Sequence, residues 1–304
     1  LPGISVLIGG MWIANLSYWG FNQYIIQRAL AAKDIKEAQK GVVFAAYLKL
    51  LMPVIVVLPG IAAVMLAPGL ERPDEAYPTM MRYLPAGILG LVFSALVPAI
   101  VASTASKVNS VATIFTLDLY AKFRRAPGAE VQEGDIADPA VDEVGNPAQA
   151  ARERELVRVG RISAIAATLI AILTARPLLG ESEQAFQYIQ EFTGFFTPGI
   201  TAMFLIGLFW KRGTEAGAIT AAVASVILSW LAYIYWPGLP FLDRMGLVFL
   251  ASLGLAVVVS LMTRAKADAN RIVTSDVGFA TPPSFNIAAL GVILILIALY
   301  ATWW

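Results

Sequence analysis

An all-α polytopic membrane protein is the fold class this sequence predicts, and three observations carry the prediction. The chain is 58% hydrophobic and only 14% charged over 304 residues, whereas a soluble domain of that length carries about a quarter charged residues. Its apolar residues fall in runs of about twenty, the length an α-helix needs to cross about 30 Å of hydrocarbon. Between the runs, lysine and arginine collect in alternate loops, the signature of cytoplasmic connections.

Hydropathy and Pro/Gly punctuation predict eight spanning segments, roughly 4–27, 41–66, 86–118, 156–178, 185–210, 215–236, 243–263 and 284–304. The third is too long for one crossing, so a short interfacial piece is expected before the spanning helix, with Pro98 as the interruption. Loop charge sets the orientation. Arg28, Lys33, Lys36 and Lys40, the basic residues of 122–161, Lys211 and Arg212, and those of 264–271 all fall on one side of an alternating path. The opposite side holds only Arg72, Arg82, Arg176 and Arg244. Both ends are therefore expected outside and the loop 28–40 inside. The one sizeable soluble piece, 122–155, is rich in Pro, Gly and acids without apolar periodicity, and reads as a flexible cytoplasmic loop.

Composition also excludes. Without cysteine there are no disulfides, thiolate metal sites or cysteine nucleophiles, and without histidine the usual general base and the commonest zinc ligand are gone. An enzyme is not expected. A net charge of +1 with no soluble basic patch gives nucleic acid nothing to bind, and membrane lipid is the expected surroundings. The chain starts at Leu1 rather than Met, and is expected to be the C-terminal portion of a longer protein.

Some residues are too costly in hydrocarbon to be incidental. "ANLSYWGFNQYIIQR" (14–28) sets Asn15, Ser17, Asn22, Gln23 and Gln27 among Tyr18, Trp19 and Phe21, with a helix-weakening Gly20. Each unpaired amide in a bilayer costs several kcal/mol, so these groups need partners, and a polar ligand is one candidate. "AFQYIQEFTGFFTPG" (185–199) repeats the pattern with Gln187 and Gln190 among Phe186, Tyr188 and Phe192. Amides exchange hydrogen bonds with hydroxyls while flat rings cover apolar faces, which is what a neutral polyol needs. "AIVASTASKVNS" (99–110) places Ser103, Thr104, Ser106, Asn109 and Ser110 on one helix. Such hydroxyls bond back to backbone carbonyls or pack small faces in many membrane helices; their density here points to a lined cavity or ion site. Lys49, Lys107, Asp118 and Glu191 lie in or beside apolar spans, where a charge calls for a partner or a polar cavity. Asp118 is expected to reach the interface, and Glu191 to cap or pair structurally.

These stretches, with "KGVVFAAYLKLLMPVIVVLPGIAA", "STASKVNSVATIFTLDLY" and "FLIGLFWKR", resemble the sodium/glucose cotransporters of the solute:sodium symporter family. The resemblance runs from the first residue to about residue 220 and more loosely beyond. It implies a LeuT-like inverted-repeat transporter fold, two five-helix repeats around a midplane site. Residues 1–210 would be the second repeat and 211–304 three peripheral helices, the first repeat lying outside this chain. The opening segment would be the discontinuous helix, broken near Asn15 to Gly20. By motif, the resemblance makes Asn15, Lys49 and Gln190 sugar ligands, with Tyr18 stacking under the sugar and closing the inner gate. Trp19 adjoins that gate and Phe186 is an outer-gate aromatic. Ala99, through its carbonyl, and Ser103, through its hydroxyl, match sodium-ligand positions. Where family members usually carry a second serine, this chain has Ala102.

The function so implied is sodium-driven symport of a neutral sugar (glucose- or galactose-like) by alternating access, with sodium as the coupling ion, in a bacterial inner membrane. Another polyol, such as inositol or a nucleoside, on the same fold is the alternative, as is a sugar sensor that binds without transporting. Lys107, four residues after Ser103, either leans into the sodium site and partly replaces the cation or snorkels to the cytoplasmic mouth.

Overall fold

The computed structural model describes residues 3–124, 147–179, 184–263, 278 and 280–303. Every regular element among them is helical. In chain order these are α1 (Ile4–Phe21), α2 (Gln23–Leu30), α3 (Ile35–Leu66), α4 (Ala76–Met81), α5 (Ala86–Phe123) and α6 (Pro147–Leu179). There follow α7 (Ala185–Gly194), α8 (Thr197–Phe209), α9 (Glu215–Tyr235), α10 (Phe241–Met262) and α11 (Pro283–Trp303). Seven of them, α1, α3, α5, α6, α9, α10 and α11, are long and apolar enough to cross a membrane. The pair α7 and α8, bent by 45° at a short break, supplies an eighth crossing if it counts as one span. Helices thus occupy all eight expected segments.

Three boundaries differ from expectation. Pro98 does not interrupt the third segment: it sits inside a helix that continues unbroken from Ala86 to Thr113 and on through a widened π turn, Ile114–Tyr120. A proline removes a single ladder bond, here to the Ser94 carbonyl, and a helix in hydrocarbon keeps all the others because nothing else satisfies them. The short piece before the span is α4, set off at residues 82–85 instead. In the loop expected over 122–155, residues 125–146 lie outside the described residues, but 147–155 are helical. Pro147 starts α6 at a position where its missing N–H is no loss, and Ala, Glu, Gln and Arg, all good helix formers, follow.

The helices sort into two compact units: Leu1–Arg82 with Glu183–Trp304, and Tyr83–Ser182. In the first, α8, α9 and α10 pack around Ala202, Ile206, Ala221, Phe249 and Ala256, and α1 adds Ile13. Small residues let these backbones approach, as they do where helices meet in lipid. A Cβ on Gly199 would stand 2.6 Å from the Ala221 carbonyl oxygen, and one on Gly246 would stand 2.9 Å from the Gly9 Cα. The antiparallel seam of α9 and α10 runs from Gly217 against Ser260 at one end to Tyr233 under Arg244 at the other. At its first end Thr214 caps α9 by accepting from the Gly217 N–H (3.2 Å) and shares a hydrogen bond with Thr263 (2.9 Å). α11 lies along α3, where the Tyr47 hydroxyl donates to the Ala288 carbonyl (3.0 Å).

In the second unit α5 packs on α6. Gly160 brings α6 close to Thr116, and the Glu155 carboxylate accepts from the Tyr120 hydroxyl (2.5 Å) and from Arg124 Nη2 (2.8 Å). Asp118 is exposed and pairs with Lys122 at 3.8 Å, as an interfacial carboxylate would.

Candidate functional site

The polar opening segment is pinned at both ends and bare in between. At its start α1 contains a π turn, Leu7–Met11, and carbonyls of that widened turn accept from side chains: Ile8 from Trp12 Nε1 (2.5 Å) and Met11 from Asn15 Nδ2 (2.8 Å). Trp12 stands edge-on to Phe249 of α10 (centroids 5.3 Å apart) and Ile13 is buried in the core. At the far end Phe21 stacks on Phe204 of α8 (4.6 Å, interplanar angle 4°). Between these anchors Asn15, Tyr18 and Trp19 are exposed.

The interruption is real, and it falls slightly later than expected. A second π turn occupies Ser17–Phe21, and Asn22 leaves the helical region altogether (φ −87°, ψ 115°) before α2 begins. π turns of this kind cluster at functional positions. Two of them, followed by an extended residue, break the ladder where polar side chains and Gly20 make a break tolerable.

Around the break a cluster assembles. Tyr18 and Trp19 stand edge-to-face (5.1 Å), and the Tyr18 hydroxyl hydrogen-bonds the Tyr24 hydroxyl across it (2.5 Å). The Lys49 ammonium lies 4.3 Å from the centre of the Trp19 ring. A ring face attracts a cation through its quadrupole, so the intramembrane lysine has a neutral partner that holds it at the break. Asn15, one turn before Tyr18 and Trp19, uses its amide nitrogen on Met11, and its amide oxygen makes no hydrogen bond among the described residues.

The other expected residues stand apart from this cluster. Gln190 and Phe186 are exposed on α7, and no hydrogen bond or ring contact ties either to Tyr18, Trp19 or Lys49 among the described residues. Ala99, Ser103 and Lys107 follow one another at four-residue spacing along one face of α5, in the second unit. On that helix Ser106 bonds back to the Ala102 carbonyl (2.9 Å) and Thr113 to the Asn109 carbonyl (2.9 Å). The Ser103 hydroxyl makes no such bond among the described residues.

Two residues escaped the sequence reading. Tyr24 lies six residues beyond Tyr18, a spacing that only the break makes a contact. Arg244, assigned to an external loop, is in the first turn of α10, 6% exposed, with its guanidinium 5.5 Å from the Phe195 ring and 5.4 Å from the Tyr233 ring. Its position as the second residue of an expected span was the available signal.

A profile of the sodium:solute symporter family matches residues 2–136 and 145–225. The chain is 45% identical to a sodium/glucose cotransporter of Vibrio parahaemolyticus over 323 aligned residues, covering 100% of this chain and 55% of that protein. It is 34% identical to the sodium/myo-inositol cotransporter 2 of Homo sapiens over 248 residues, 75% of this chain and 33% of the relative. It is 33% identical to the sodium/myo-inositol cotransporter of Canis lupus familiaris over 239 residues, 72% and 30% respectively. The chain therefore spans about half the length of the first of these and less of the others.

Proposed function

Because the chain belongs to the sodium:solute symporter family, we propose that it carries part of the transport path of a sodium-coupled symporter for a neutral sugar, working by alternating access in a bacterial inner membrane. The observation that carries this reading is the broken α1, where an amide, two tyrosines, a tryptophan and a lysine meet in a segment pinned at both ends. Hydroxyls of a sugar take hydrogen bonds from Asn15, Lys49 and Gln190, and the Tyr18 ring covers its apolar face. Tyr18 with Trp19 forms the inner gate and Phe186 the outer. Sodium is held by the Ala99 carbonyl and the Ser103 hydroxyl, with Lys107 at the edge of that site. In this reading 1–210 is the second five-helix repeat and 211–304 forms three peripheral helices. The inositol carriers among the relatives support a second reading, the same path carrying a cyclic polyol.

The test is uptake of labelled glucose, galactose and myo-inositol by the full-length protein in proteoliposomes, with a sodium gradient or with choline in its place. Sodium-driven accumulation of one of them is expected. Asn15→Ala and Gln190→Ala should weaken its binding by roughly five- to 150-fold, the equivalent of one side of a buried hydrogen bond at about 1–3 kcal/mol. Unchanged affinity in both variants removes these residues from the site. Run at two pH values, the same assay sorts Lys107: sodium-free, pH-dependent uptake lost in Lys107→Met marks a lysine that replaces the cation. Strict sodium dependence in both proteins marks one that only snorkels.

A further inference from the structure

Arg244 and Glu191 are opposite charges, each without a counterion among the described residues, on α10 and α7, which meet at Gly194 and Met245. Arg244 is 6% exposed as a residue, and its guanidinium lies over the rings of Phe195 and Tyr233. It makes no hydrogen bond or ion pair among the described residues. Asp243 is its neighbour in sequence, but consecutive helical residues do not face each other. Glu191 is half-buried and likewise has no hydrogen bond or ion pair among the described residues. It precedes Gly194 and Phe195 by three and four positions, so it shares their side of α7. That side meets the start of α10: a Cβ on Gly194 would lie 3.3 Å from Met245 Sδ, and Arg244 covers Phe195.

The break between α7 and α8 is bolted to the helices behind it. The Phe195 carbonyl accepts from the buried Ser225 hydroxyl of α9 (2.9 Å), and the Phe195 ring is enclosed by Trp230, Tyr233 and Arg244. α8 beyond the break carries the buried Pro198, Gly199, Thr201, Ala202 and Ile206, whereas most of α7 before it, Gln190 included, is exposed. Phe195 is thus a fixed pivot with a loosely held arm.

We propose that Glu191 and Arg244 are a positioning pair: in another conformation of the transporter α7 turns about Phe195 until the carboxylate meets the guanidinium, setting Gln190 in place. The inference rests on the reading of Gln190 as a sugar ligand. An unpaired charge in this low-dielectric setting is costly, so the conformation that joins the two is favoured by whatever the pair gains. Removing one partner leaves the charge of the other uncompensated.

Two measurements on the full-length protein test it. In a background without other cysteines and with both charges kept, Gln187→Cys, one turn before Glu191, is paired with Phe241→Cys, one turn before Arg244, and treated with a short bifunctional thiol reagent. The cross-linking yield should differ several-fold between sodium-plus-sugar and sodium-free conditions. Equal yields, or no cross-link in either, overturn the proposal. In uptake assays Glu191→Gln and Arg244→Gln should each lower the maximal rate more than they raise the KM, and Arg244→Lys should recover part of the loss. The double Gln variant should be no worse than the poorer single, a coupling of about fivefold or more. Independent, multiplying losses overturn the pair. Because cross-linking needs no transport, a state-dependent cross-link in a protein that accumulates no sugar would retain the pair and discard the sugar-symport reading.

Discussion

At the scale of single residues, Lys49, a proposed sugar ligand, shows how a charge in an apolar span can be held by a neutral partner. Its ammonium rests on the Trp19 ring rather than against a carboxylate. A cation–π contact is worth about 0.5–2 kcal/mol, enough to hold the side chain at the break and weak enough to give up for a ligand oxygen. A carboxylate would hold it more tightly and compete with the proposed sugar. A charge-assisted hydrogen bond contributes about 1.5–3 kcal/mol, so Lys49→Met is expected to weaken sugar binding by roughly ten- to 150-fold. Trp19→Phe, which keeps a π face, should change it only a few-fold. Equilibrium binding of labelled sugar to the purified full-length protein reads both, and wild-type affinity in Lys49→Met would count against a ligand role. The residue types of this cluster were legible in the sequence, since amides and a lysine in an apolar run announce themselves by cost. Their pairing was not. That Trp19 takes Lys49, and Tyr18 takes Tyr24, depends on the path of the chain after Asn22, which no local pattern encodes.

Elements were legible in proportion to the strength of their signal. Eight apolar runs gave eight helical regions, because hydropathy over about twenty residues leaves little choice of structure in lipid. Where the decision rested on one residue it went astray: Pro98 looks like an interruption but costs the helix one bond, and the start of α6 at Pro147 hid in a loop-like composition. Contacts between elements were hidden for a different reason. Glycine reads as weakness in a lone helix, yet Gly10 is where α1 crosses α10 with almost no space: an added Cβ would fall 2.0 Å from the Leu242 carbonyl oxygen. Backbone cannot yield as a side-chain tip can. Gly10→Ala is therefore expected to destabilise the full-length protein by about 1–3 kcal/mol or more, as overpacking does. Gly207 of α8 has nothing within 4 Å of its would-be Cβ, and Gly207→Ala should be neutral or stabilising by up to about 1 kcal/mol. Thermal unfolding in detergent compares the two, and equal midpoints would mean that the α1–α10 crossing has room for a methyl group.

For the whole molecule the open quantity is the number of crossings, and it turns on the bent pair. If α7 and α8 together make one span, eight crossings put the loops at 28–40 and 211–214 on the cytoplasmic side and those at 67–85 and 236–240 outside, in keeping with their basic residues. If the pair instead enters and leaves by the same face, every loop after it changes sides, and Lys211 and Arg212 end up outside, against the charge rule. Single cysteines distinguish the two, and this chain contributes none of its own. Lys36→Cys, Arg82→Cys, Arg212→Cys and Gly238→Cys would be placed in a full-length protein without other cysteines and treated on intact cells with a membrane-impermeant maleimide. Labelling is expected at 82 and 238 without permeabilisation, and at 36 and 212 only after it. Residues 36 and 82 precede the pair and serve as the reference. Label at 212 on intact cells, with 238 protected, would show that α7 and α8 form a re-entrant loop. Gln190 and Phe186 would then lie on an arm that dips into the membrane without crossing it, and a site shared with α1 would have to be rebuilt from the opposite face.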